Sequence, residues 1–208
     1  MQYSDTIIII FAREPVEGQV KTRLIPALGE QTATRLYAQL LNHTIANVLN
    51  CQLSVLDICI TPESQSLYFT QLPFGAHYKL STQQGNDLGE RMYYALSGKL
   101  EKFTKAILIG TDCPSLNCHE LSRAIRALDY HDMVFSPAKD GGYVLVGAKQ
   151  LSSVVFSKIN WGSEWVMQQT RNALLKTGLS WQELSLQQDI DNVEDLVHLQ
   201  LYPQFSVK

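Results

Sequence analysis

The chain lacks a cysteine pair at CxxC spacing, an HxxxH or HExxH arrangement among its five histidines, and a serine in a GxSxG elbow. These absences exclude a zinc ribbon, a thioredoxin-type dithiol, a helical zinc hydrolase site and an α/β-hydrolase nucleophile. A GxGxxG dinucleotide turn is missing too, and Gly18-Gln19-Val20-Lys21-Thr22 does not have P-loop spacing. Long apolar runs are absent. The four isoleucines at 7–10 are far too few for a signal-peptide core or a membrane span, so no membrane partner is expected and the expected location is cytoplasmic. With 17 Lys and Arg against 20 Asp and Glu, the net charge is −3, and no global basic field exists to hold nucleic acid. In that setting Cys51, Cys59, Cys113 and Cys118 are expected as reduced, mostly buried thiols. Cys113 has no base motif beside it.

What is present is an ordinary globular composition, 45% hydrophobic and 18% charged over 208 residues, enough to bury a core without metal or disulfide staples. Strand-like and helix-like stretches alternate. Residues 6–12, 55–61, 75–82 and 105–111 read as strands. Residues 30–50, 87–101, 117–128, 163–177 and 193–201 read as helices. Within 30–50, Ala33, Leu36, Tyr37, Leu40, Leu41, Thr44, Ile45, Val48 and Leu49 draw the stripe of a core-facing helix. Two short strands at 133–136 and 143–146 flank the turn Lys139-Asp140-Gly141-Gly142, with an edge strand at 181–186. The pattern predicts an α/β fold, a mixed but mostly parallel sheet with helices on both faces, in one domain spanning 1–208.

Chemistry gathers where strands end. Residues 106–109 are apolar and stop at Gly110-Thr111-Asp112-Cys113-Pro114. A strand buried on both faces leaves its carboxyl end at the ligand edge of an open α/β sheet. There Asp112 offers a hard oxygen suited to Mg²⁺ or Mn²⁺, although Asp112 or Ser115 capping the next helix is an equal alternative. The first strand runs into a loop carrying Arg13, Gly18, Lys21 and Arg23, three cations and a glycine able to approach phosphate oxygens. Gln84 and Arg91 stand in the glycine-rich start of the helix expected at 87–101. Asp140 precedes two glycines in a hairpin-turn signal. Asp189 and Asp191 alternate, which on an extended segment places both on one face about 7 Å apart, while Asp191 or Asn192 also suits a helix cap.

Taken together, Phe11-Ala12-Arg13-Glu14-Pro15-Val16-Glu17-Gly18, Val20-Lys21-Thr22-Arg23-Leu24, Asp87-Leu88-Gly89-Glu90-Arg91-Met92, Ile109-Gly110-Thr111-Asp112-Cys113-Pro114, Pro137-Ala138-Lys139-Asp140-Gly141-Gly142-Tyr143, Trp161-Gly162-Ser163-Glu164 and Asp189-Ile190-Asp191 with Glu194-Asp195-Leu196 resemble, in order, a bacterial glycosyltransferase-like family. This family is of the DUF2064 type and has the GT-A, or nucleotide-diphospho-sugar transferase, fold. The resemblance implies a transferase using a nucleotide sugar, an unidentified small-molecule acceptor, and Mg²⁺ or Mn²⁺. It implies metal ligands Asp112 and Asp191 with Asp189, phosphate contacts from Arg13, Gly18, Lys21, Arg23, Gln84 and Arg91, and Asp140 as acceptor-binding group or base. Val193 replaces a proline usual in related nucleotidyltransferases, and Glu14 adds a negative charge to the loop expected to hold phosphate. A nucleotidyltransferase working on a nucleoside triphosphate, like the guanylyltransferases that activate phospholactate, is the first alternative. A non-catalytic nucleotide-binding protein is the second.

Overall fold

The computed structural model describes residues 1–75 and 77–205. Four consecutive isoleucines explain its centre. In strand β1 (Thr6–Ala12) successive side chains point to opposite faces, so Ile8 and Ile10 enter one apolar core while Ile7 and Ile9 enter another. Only a strand covered on both faces tolerates that pattern. β1 pairs in parallel with β2 (Val55–Ile60) and β4 (Lys105–Ile109), with Ile10 facing Ile58 on one side and Ile109 on the other.

The described residues form one seven-stranded sheet in the order β3-β2-β1-β4-β6-β5-β7. β3 is Lys79–Thr82, β5 is Met133–Pro137, β6 is Tyr143–Ala148 and β7 is Trp181–Glu183. Only β6 runs antiparallel to its neighbours, so the expected mixed, mostly parallel sheet is present. The chain steps outward from β1 to β2 and β3, then returns to the other side of β1 with β4. This reversal is the point at which open α/β sheets bind ligands.

Helix α2 (Glu30–Cys51) lays the predicted stripe on one face beside α5 (Cys118–Tyr130), whereas α4 (Leu88–Leu100) and α6 (Val166–Leu174) cover the other. The short helices α1 (Ile25–Leu28) and α3 (Ser66–Thr70) were not visible as periodic patterns. The strand expected at 75–82 is confined to β3, and Ala76 of that expectation lies outside the described residues. The helix expected from 163 starts three residues later, because 160–165 forms turns. The last helix, Val193–Leu201, is of the tighter 3₁₀ type, capped by Asn192 in a reciprocal box with Asp195.

One expectation is overturned. Cys51 and Cys118 form a disulfide between the end of α2 and the start of α5, leaving only Cys59 and Cys113 free. The two residues are 67 apart in sequence but their Cα atoms are 5.4 Å apart, within bridging range. Sequence spacing carried no trace of that proximity, which α2 and α5 create by packing side by side. No helix among the described residues is long and apolar enough to cross a membrane.

Candidate active site

The carboxyl ends of β1, β2, β3, β4 and β5, with the start of β6 and the segment 189–191, open onto one cleft of about 690 Å³. Its centre is an ionic knot that joins three separate segments. The Lys21 ammonium lies 2.8 Å from Asp112 Oδ1 and 3.6 Å from Asp191 Oδ1, and it also donates to the Ile190 carbonyl. Arg23 pairs with the other oxygen of Asp191. The backbone completes the joint, the Ile190 N–H donating to the Asp112 carbonyl at 2.9 Å. The early basic loop, the end of β4 and the segment 189–191 therefore meet at one point. Lys21 is held there with its side chain 3% exposed, against 39% for Asp112 and 28% for Asp191. Its backbone is left-handed, φ 48° and ψ 41°, a conformation that disfavours side-chain-bearing residues.

The capping alternatives are taken by other residues. Asn117, not Asp112 or Ser115, accepts the first free N–H groups of α5, and Asn192 rather than Asp191 caps the final 3₁₀ helix. Both aspartates are thus left facing the cleft.

The remaining wall is built from the strand ends. Arg13 is fixed by its backbone. Its N–H donates to the Tyr37 hydroxyl at 2.9 Å, that hydroxyl donates to its carbonyl at 3.1 Å, and its guanidinium donates to the Gln19 carbonyl. Burial first and the Asp112 charge second push the Tyr37 hydroxyl up to about 12, so it stays a neutral brace. Arg91 lines the cleft with Nε donating to the Gly85 carbonyl at 3.2 Å. Asp140 sits on the β5–β6 turn, its Oδ1 accepting from the Gly142 N–H at 2.8 Å. Gly141 holds that turn against the start of α6. Its carbonyl accepts from Met167 N at 2.8 Å, and at φ +91° an added Cβ would stand 2.1 Å from the Glu164 carbonyl oxygen. Tyr143 and Trp161, rings edge-on at 6.3 Å, line the same end with Leu88, Met92 and Val166.

Of the expected site residues, Arg13, Lys21, Arg23, Arg91, Asp112, Asp140, Asp189 and Asp191 line the cleft, and Gly18 and Gln84 do not. Gly18 supplies a positive-φ turn (+75°) beside Glu30. Gln84 is exposed, and its neighbour Gln83 occupies the wall, its amide donating to the Cys59 carbonyl. Glu14 is turned away, its carboxylate accepting from the Gln65 N–H at 2.7 Å. Sequence reasoning missed Tyr37 and Thr61 as cleft residues, which carry no motif signal, and singled out neither Gln19 nor Gln83 within the loops that hold them.

Charge is unevenly balanced across the site. Burial, then the neighbouring Asp140, push the Asp189 carboxyl up to about 6, with Asp191 and Asp195 adding to the shift. The free thiol of Cys113 is pushed up to about 11, chiefly by burial, and so is held as a thiol rather than a nucleophilic thiolate. Among the described residues no three Asp, Glu, His or Cys side chains already form a metal cage. The donor chemistry nevertheless fits Mg²⁺ or Mn²⁺. These ions take one or two carboxylates and complete their shell with water and phosphate, and Asp189 is a half-buried carboxylate that lines the cleft with Asp112 and Asp191.

Residues 44–163 match the model of the family described as an uncharacterized protein conserved in bacteria, DUF2064. The chain belongs to that family. A DUF2064 chain of this kind superimposes with TM-score 0.87 on a putative nucleotide-diphospho-sugar transferase from Desulfovibrio desulfuricans G20, at 31% identity over 96% of this chain and 87% of that one. More distant likenesses are a cytidylyltransferase from Leptospira borgpetersenii (TM-score 0.63, 13% identity, 99% and 91% covered). A 4-diphosphocytidyl-2C-methyl-D-erythritol synthase from Anaerococcus prevotii follows (0.62, 11%, 98% and 100%). At those identities they share the fold with this DUF2064 protein. No curated protein matches it in sequence.

Proposed function

We propose that this DUF2064 protein is a metal-assisted transferase that takes a nucleoside diphosphate sugar and passes the sugar to a small acceptor. The observation that carries this reading is the meeting of Asp112, Asp191 and Lys21 in the cleft that also holds Arg13 and Arg91. A donor diphosphate needs cations along its oxygens, and Arg13, Arg91, Arg23 and Lys21 supply them at the β1–β4 junction. Asp112, Asp189 and Asp191 would hold Mg²⁺ or Mn²⁺, whose chemistry when bound is to neutralise charge on the departing diphosphate.

Asp140 is assigned the acceptor proton. Its Oδ1 is occupied by the Gly142 N–H, which leaves Oδ2 to accept the proton. The acceptor oxygen bonds to the anomeric carbon, the carbon–oxygen bond to the diphosphate breaks, and that electron pair leaves on the diphosphate. Glycosyl transfer is preferred to nucleotidyl transfer on charge. Among the described residues Asp140 forms no ion pair, so the acceptor end of the cleft suits a neutral acceptor and repels a phosphorylated one. The second reading, a nucleotidyltransferase, is favoured by the fold shared with the cytidylyltransferase and the synthase.

A thermal-shift screen of nucleoside di- and triphosphates and their sugars, with and without Mn²⁺, tests the proposal. A ligand that binds only the folded state raises the melting point, and we expect a sugar nucleotide to do so with Mn²⁺ present. Assay of the product then separates the readings, nucleoside diphosphate for the first and pyrophosphate for the second. Asp112→Ala should retain the circular dichroism of the parent and lose turnover at least 100-fold, about 3 kcal/mol of transition-state stabilisation. Full turnover in that variant removes the metal assignment.

A further inference from the structure

The atoms around the Lys21 ammonium describe a cation position rather than a surface ion pair. Three oxygens from three residues converge on it: Asp112 Oδ1, Asp191 Oδ1 and the Ile190 carbonyl. The side chain is nearly fully buried, and the backbone adopts a left-handed conformation at Lys21 to deliver it there. Two carboxylates and a carbonyl are a hard-oxygen set, the kind that takes a divalent ion. Here the chain fills that place with its own charge. A buried lysine leaving this position would take from Asp112 its ion-pair partner and leave Asp191 with Arg23 alone, so the pair would need another cation in its place.

We infer that Lys21 is the resident cation of the Asp112–Asp191 pair, and that a divalent ion enters the cleft only as its complex with a polyphosphate that accepts Lys21 in exchange. The exchange leaves every charge paired. The metal takes the two carboxylates, and the displaced ammonium takes a phosphate oxygen brought by the same ligand. Bare metal offers no anion for Lys21 to move to, so it must compete with an ammonium already in place. Arg23 cannot relieve the knot alone, because it reaches only the second oxygen of Asp191. The metal-entry half of the inference stands without any assumption about the reaction. The polyphosphate half rests on the transferase reading above.

Equilibrium dialysis of Mn²⁺ against the full chain reads both halves without activity. Pyrophosphate serves as the polyphosphate probe. The wild type is expected to retain Mn²⁺ only when pyrophosphate is present. Lys21→Met should bind Mn²⁺ alone at least tenfold more tightly than the wild type, and should lose at least tenfold of its pyrophosphate-dependent retention. Should Lys21→Met fail to fold even in millimolar Mn²⁺, Lys21→Gln, which keeps a donor for the Ile190 carbonyl, is measured instead. Wild type that binds bare Mn²⁺ as well as the variant does, or a variant with no gain, overturns the inference. Wild type that gains no Mn²⁺ with pyrophosphate overturns the exchange. If no nucleotide binds in the thermal-shift screen while the variant still gains bare Mn²⁺, the transferase reading fails and the role of Lys21 does not.

Discussion

Single residues here carry opposite obligations to stability and to the site. The clearest case is Asp189, whose carboxyl is pushed up to about 6, first by burial and then by Asp140. An unfolded aspartate titrates near 3.9. Between roughly pH 4 and 6 the unfolded chain has therefore released a proton that the folded chain still holds. Stability falls as pH rises through that window and stays at the lower level above it. Asp189→Asn should remove the penalty. Allowing for solvent screening of this half-buried group, we expect about 1–2 kcal/mol of added stability at pH 7.5, or roughly 3–6 °C in melting temperature, and a shallower slope between pH 4 and 6. A melting temperature at pH 7.5 equal to or below the parent's refutes the account. Gly141 has the reverse character. An alanine there must adopt φ +91° and place its Cβ against the Glu164 carbonyl, so Gly141→Ala should cost about 1–3 kcal/mol in urea denaturation and carry Asp140 out of position.

Elements were legible in proportion to how much of their identity is local. The isoleucine strand and the striped α2 were read with bounds close to those observed, because both follow from a repeat visible in the residues themselves. The short helices α1 and α3 were not, since four or five residues cannot establish a period. The turn at 160–165 is fixed by tertiary contact: an added Cβ on Gly89 would fall 2.2 Å from the Phe156 carbonyl and 2.9 Å from Trp161. Site residues followed the same rule. Asp112 announced itself as a polar end to an apolar run, whereas Gln83 and Gln84 differ only in strand parity. The ladder continues one step past β3, Gln83 N–H donating to the Ile60 carbonyl, and this decides which glutamine faces the cleft. The disulfide was the least legible feature, being a product of helix packing alone. It closes a 67-residue separation between α2 and α5, so its reduction should cost about 2–4 kcal/mol and lower the melting temperature by roughly 5–10 °C. Alkylation of the unfolded, unreduced protein should label two of its four cysteines, and labelling of all four would show that this bridge does not form.

For the whole molecule, the sheet order argues that the chain behaves as one unit. β1, formed by the first residues of the fold, lies between β2 and β4, and β7, formed near residue 181, closes the far edge of the same sheet. One apolar core runs from Ile8 through α2 and α5 to Leu184, so no cut in the sequence separates two self-sufficient halves. The cleft depends on that unity, since Lys21, Asp112 and Asp191 reach it from three widely separated parts of the chain. We therefore expect a single calorimetric unfolding transition whose van't Hoff and calorimetric enthalpies agree. Because the ligand site is assembled from the whole chain, Mn²⁺ with a bound nucleotide should move that transition intact to higher temperature by mass-action linkage. Two resolved transitions, with only one shifted by the ligand, would mean that the segments meeting at Lys21 belong to separately folding units.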